Sequence, residues 1–121
     1  MATAQEIREA LDDYVLQANK NERVRRTLLK WSCVIHLSAT DTQADFTLII
    51  KNGEMDDVID GLKGVPDLIV KGKSEDLTDI FWGDQNPASN YMQGAIQVQG
   101  SSDDVLRLDS ITMFVFLENQ Q

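Results

Sequence analysis

The sequence predicts an α+β fold: a five-stranded, mostly antiparallel sheet covered on one face by helices. Three observations lead there. Apolar residues recur at helical spacing near the start, at Ile7, Leu11, Tyr14, Val15 and Ala18. From Trp31 to about Lys71 the apolar period falls to two, as in strands. Helical spacing then returns twice, around a short alternating segment with a glycine at each end. The order reads helix, helix, four-strand meander, helix, strand, helix. The 121 residues, 1–121, are read as a single domain, long enough to bury a core without disulfides.

Each element has a local reason. Thr3-Ala4-Gln5-Glu6 is a capping box, and Glu6, Glu9, Asp12 and Asp13 occupy the polar face behind it. Asn19 and Asn21 interrupt the pattern before a second, short helix over Glu22 to Lys30, with Val24, Leu28 and Trp31 on one stripe. Trp31, Cys33, Ile35 and Leu37 alternate with polar neighbours. After a turn near Asp41-Thr42 so do Ala44, Phe46, Leu48 and Ile50. Asn52-Gly53 is the residue pair favoured by a two-residue hairpin, which makes Glu54 to about Ile59 a third antiparallel strand. Pro66 to Lys71 gives a fourth. Ser74 is read as the hydroxyl cap of a helix that runs through Phe81-Trp82 and stops at Gly83. Tyr91-Met92 closes a helical turn, Gly94 to Gly100 forms the fifth strand, and Ser101-Ser102-Asp103-Asp104 opens the last helix.

Composition narrows the function. Cys33 and His36 are the only soft metal ligands, so no metal or other cofactor is expected. Three residues apart in an alternating strand, they face opposite sides of the sheet and form no catalytic dyad. The carboxylate pairs Asp12-Asp13, Asp56-Asp57 and Asp103-Asp104 are adjacent rather than convergent, and no phosphate-cradling glycine loop is present. The chain is therefore expected not to be an enzyme. A net charge of −9 repels phosphate backbones and disfavours nucleic acid. Five of the eleven bases fall between Lys20 and Lys30, with only Glu22 opposing them. Arg23, Arg25, Arg26 and Lys30 thus read either as a solvated helix face or as a contact for an anionic headgroup or membrane surface. The first residues lack the pattern of a signal peptide, and no apolar run approaches the roughly 18 residues of a membrane span. The expected location is the cytoplasm.

Two stretches of the second half carry a specific likeness. One is Asp67-Leu68-Ile69-Val70 followed by Ser74-Glu75-Asp76-Leu77 through Phe81-Trp82-Gly83. The other is Ala88-Ser89-Asn90-Tyr91-Met92-Gln93-Gly94-Ala95-Ile96-Gln97-Val98-Gln99-Gly100, an apolar pair, a glycine, an alternating strand and a second glycine before a helix. In these the chain resembles the sterol carrier (nonspecific lipid-transfer) protein family. The resemblance implies binding and transfer of a fatty acid, acyl-coenzyme A, sterol or similar lipid in an apolar cavity between sheet and helices. Two helical segments ahead of the first strand depart from the family pattern. So does the Glu118-Asn119-Gln120-Gln121 end, which is not a peroxisomal address.

An apolar lining can be drawn from Phe46, Leu48, Leu68 and Val70 on one sheet face, Phe81 and Trp82 on the middle helix, and Tyr91 and Met92 beyond it. The last helix adds Ile111, Met113, Phe114 and Leu117, in a stretch that is apolar nearly all round and so demands cover on several sides. Met92 and Met113 also suit plain core. The Phe114–Leu117 run reads as ligand wall, as core, or as the contact of a homodimer in which the domain serves as an accessory module.

Overall fold

The computed structural model describes residues 1–84, 86–87 and 94–119. Helix α1 (Ala4–Lys20) starts with the expected capping box: the Thr3 hydroxyl accepts from the Glu6 N–H, and the Glu6 carboxylate accepts from the Thr3 N–H. At its end Asn21 becomes the N-cap of α2 (Glu22–Leu28), its side-chain oxygen accepting from the N–H groups of Arg23 and Val24. The asparagine that interrupts the helical pattern is thus what starts the next helix.

Strands β1 (Cys33–Ala39) and β2 (Asp45–Lys51) pair antiparallel, with Ile35 opposite Leu48 and Leu37 opposite Phe46. Asn52 and Gly53 hold φ of 54° and 82° and turn β2 into β3 (Glu54–Met55), as their chemistry requires. The third strand is shorter than expected and broken. It pairs with β2 at Ile50 and Lys51, leaves, and returns as β4 (Ile59–Asp60) opposite Phe46 and Thr47. The sheet therefore has six strands rather than five.

The meander also ends sooner than expected. Strand β5 (Leu68–Gly72) does not continue outward from β4; it crosses the sheet and pairs parallel with β1, Ile35 opposite Leu68 and Leu37 opposite Val70. Strand β6 (Ile96–Gly100) pairs antiparallel with β5 and forms the far edge, in the order β3-β2-β1-β5-β6 with β4 beside β2. The crossing loop is anchored on the face that the helices leave free. Thr47 Oγ1 donates to the Gly61 carbonyl (2.7 Å) and accepts from the Lys63 N–H (3.0 Å), while His36 Nε2 lies 2.9 Å from the Lys63 carbonyl. At the start of β5 the Val34 N–H donates to the Asp67 carboxylate, and the Asp67 N–H donates to the Val34 carbonyl. These ties are between residues far apart in sequence, which is why no local pattern announces them.

Helix α3 (Ser74–Trp82) corrects a second expectation. Its N-cap is Lys73, not Ser74, and the capping acceptor comes from another part of the chain: Asp41 accepts from both the N–H and the hydroxyl of Ser74. Those bonds, the Ser74 N–H first, hold the Asp41 carboxyl below its usual range. Gly83 ends the helix with φ 81°. Helix α4 (Ser102–Asn119) begins as expected, with the Ser101 hydroxyl accepting from the Asp104 N–H. Helices α1 and α3 pack together, as do α2 and α4, over the face of the sheet that carries Ile35, Leu37, Phe46, Leu48, Leu68 and Val70. Those six are buried.

Candidate functional site

Helix α4 brings the buried stripe Leu108, Ile111, Thr112 and Val115 down onto the helix layer and the β5–β6 edge of the sheet. Where it faces α3 and that edge, a gap of about 40 Å³ remains, lined by Val70, Ile80, Phe81, Pro87, Ile96, Val98, Leu108, Asp109 and Thr112. All but the last two of these side chains are apolar. The cavity that the family resemblance implies is therefore closed here to a seam with room for little more than a water, against the roughly 300 Å³ at which ligand pockets begin.

A polar relay underlies the seam. Thr112 Oγ1 donates to the Leu108 carbonyl at 2.9 Å, and with that proton committed the Tyr14 hydroxyl donates to Thr112 at 2.9 Å. The Tyr14 ring meets Phe81 edge-on, centroids 4.8 Å apart at 86°. Burial pushes the Tyr14 phenol well above its usual range. Desolvation also raises the Asp109 carboxyl, which is half-buried.

The expected lining residues divide among several places. Val70 and Phe81 line the seam; Leu48, Leu68 and Ile111 are buried core. Phe46 is buried too, but borders a separate cleft beside Arg8, Asp12 and Asp60. Trp82 stands partly exposed, and Tyr91 and Met92 lie outside the described residues. Met113 and Phe114 are half-buried and Leu117 is 44% exposed, so the last turns of α4 are not covered on all sides as expected. Phe114 joins α4 to α2 within the chain, under the Arg23 guanidinium at 5.6 Å and with the Asn21 amide donating to its carbonyl. With Leu117, Lys20 and Arg23 it borders an open cleft of about 500 Å³.

Arg23, Arg25, Arg26 and Lys30 are exposed, and none has a carboxylate partner among the described residues. Ile80, Pro87, Ile96, Val98, Leu108, Asp109 and Thr112 were missed as lining residues. Thr112 was legible, since it falls four residues from Leu108 on the apolar stripe; the β6 residues were read as a strand without the knowledge that it is an edge.

Burial, aided by the charges of Asp104 and Asp67, pushes the Cys33 thiol up to about 12, leaving it protonated and a poor nucleophile. His36 lies on the opposite face, buried against the crossing loop. Among the described residues no group of three or more His, Cys, Asp or Glu side chains is placed to hold a metal ion, and no helix is long and apolar enough to cross a membrane.

Comparison with known proteins agrees with this architecture. No curated protein sequence matches the chain. Among solved structures, palmitated SCP2L2 from Aedes aegypti is similar at a TM-score of 0.64 and 17% identity, covering 92% of this chain and 95% of that one. The UbiJ-SCP2 ubiquinone synthesis protein is similar at 0.61 and 16% identity, covering 94% and 91%. A sec-alkylsulfatase from Pseudomonas sp. is similar at 0.57 and 17% identity over 73% of this chain but only 13% of that one. At these identities the likeness is one of fold. A match to a family's sequence profile goes further: over residues 13–112 the chain fits the SCP-2 sterol transfer family, and it belongs to that family.

Proposed function

We propose that this chain is a non-enzymatic carrier that binds one hydrophobic lipid in the seam between β5, β6, α3 and α4. The observation that carries the reading is the convergence of apolar side chains from all four elements on a gap whose described polar lining is confined to Asp109 and Thr112 of α4. Family membership supports it, as does the palmitated state of the Aedes aegypti neighbour. An acyl chain of about fifteen methylenes offers on the order of 12 kcal/mol of gross transfer energy. Entering the seam, it replaces one apolar contact with another, so the walls part without exposing their surface to water. A fully open cavity would instead forfeit roughly 24 cal/mol per Å³ in the empty protein, which favours the closed seam when no lipid is bound. The buried free thiol of Cys33 suits a reducing compartment such as the cytoplasm.

Native mass spectrometry after incubation with hexadecanoate, 1-hexadecanol or cholesterol tests the reading. A one-to-one complex with at least one of them is expected. Val98→Trp, which fills the seam from its edge, should lower uptake at least about tenfold while circular dichroism stays unchanged. Absence of any complex, or full uptake by a folded Val98→Trp protein, rejects the site.

The same reading gives the basic face of α2 a role in delivery. Its exposed cations, without carboxylate partners among the described residues, suit transient contact with an anionic membrane, where each contributes about 1 kcal/mol near the surface.

A further inference from the structure

We propose that Asp109 makes the seam selective for neutral lipids that carry a hydrogen-bond donor, such as long-chain alcohols, over lipids with an anionic head. The proposal rests on the seam being the lipid site and adds which class of lipid it takes.

Among the described residues the seam's only polar side chains, Asp109 and Thr112, sit three residues apart on α4 and so share one face of it. Their hydrogen-bonding capacity is one-sided. The single hydroxyl proton of Thr112 goes to the Leu108 carbonyl and that of Tyr14 goes to Thr112, so both nearby donors are committed within the protein. The Asp109 carboxylate accepts only, and no described residue donates to it or pairs with it. The neighbouring base on its own helix, Arg107, is drawn instead to Asp104 at 3.6 Å. The described side chains of the seam therefore offer acceptors and no free donor.

A lipid that enters here brings apolar surface over a carboxylate that water had solvated. A hydroxyl head restores the lost hydrogen bond. A carboxylate head finds no donor and meets a like charge in a medium that screens it poorly. The rise of the Asp109 carboxyl by desolvation agrees with a carboxylate that has no partner among the described residues.

The test measures displacement of Nile red by 1-hexadecanol, hexadecanoate and 1-methoxyhexadecane, of nearly equal chain length, near pH 8, where free carboxylates are ionised. The wild-type chain should bind the alcohol at least about tenfold more tightly than either the acid or the ether, which lacks the donor. Asp109→Asn replaces the charge with an amide that both donates and accepts. It should raise hexadecanoate affinity about tenfold and leave the alcohol within about threefold. Asp109→Leu should retain binding and lose the preference for alcohol over ether. Equal wild-type binding of all three ligands, or an unchanged acid-to-alcohol ratio in Asp109→Asn, overturns the selector while leaving the carrier reading intact. Failure of every ligand both to displace Nile red and to form a complex by mass spectrometry removes the carrier reading itself, and the selector with it.

Discussion

Asn19 uses both ends of its amide on one backbone position. Its Nδ2 donates to the Met55 carbonyl and its Oδ1 accepts from the Met55 N–H, each at 2.9 Å. This clamps the last turn of α1 to β3, a strand of two residues, where few ladder bonds exist to hold the edge. Asn19→Ala leaves two partly buried backbone groups without partners and should cost about 2 kcal/mol, read as a lower urea midpoint at unchanged slope. Asn19→Asp keeps the acceptor alone and should fall between the two. A midpoint equal to wild type in Asn19→Ala would show that water replaces the clamp at no cost. The sequence marks Asn19 and Asn21 only as breaks in a helical pattern. That one caps α2 and the other grips a strand depends on what lies opposite, which spacing does not encode.

Strands β5 and β6 meet at a place where only glycine fits. A Cβ added to Gly100 would stand 2.6 Å from the Asp67 carbonyl and collide with the Leu68 side chain, its register partner. Gly100→Ala should destabilise the protein by about 1–3 kcal/mol, visible as a lower melting temperature, whereas Gln99→Ala on the exposed side of the same strand should change little. If Gly100→Ala melts with wild type, β6 sits further from β5 than its ladder implies. The glycine was visible in the sequence as a strand boundary. Its necessity was not, because it comes from the backbone of residues 67 and 68. The split of the third strand into β3 and β4 was hidden likewise. Asn52-Gly53 fixes where that strand starts, and Thr47, through its bonds to Gly61 and Lys63, helps fix where the chain leaves it.

Charge is segregated across the molecule as a whole. The protein carries −9 overall, yet α2 holds three exposed cations, Arg23, Arg25 and Arg26, of which Arg23 borders the cleft lined by Phe114 and Leu117. If this face meets membranes, the combined charge reversal Arg23→Glu, Arg25→Glu and Arg26→Glu should cut binding to phosphatidylglycerol-containing vesicles at least about tenfold. Raising salt from about 0.05 M to about 0.5 M should weaken wild-type binding in the same direction, and purely zwitterionic vesicles should show neither effect. Unchanged vesicle binding in the reversed protein would leave the cluster a solubilising surface. Arg25 and Arg26 are exposed and have no carboxylate partner among the described residues, so of the three substitutions only Arg23→Glu removes a described contact, its stacking on Phe114, and circular dichroism should show the fold retained.

Much of the architecture was legible from local pattern. Helical and strand periods, the Thr3–Glu6 box, the Asn52-Gly53 turn and the Gly83 stop are each set within a few residues, and the likeness between Leu68 and Leu108 pointed to the family. Short-range forces suffice for these. Only the tertiary structure decided the parallel placement of β5 on β1, the capping of α3 by Asp41, and the closure of the expected cavity to a seam in which Asp109 has no partner among the described residues. Each of these joins residues roughly thirty or more apart in the chain. It is fixed by which buried polar groups can find partners and which apolar faces can meet, a condition on the folded whole rather than on any window of sequence.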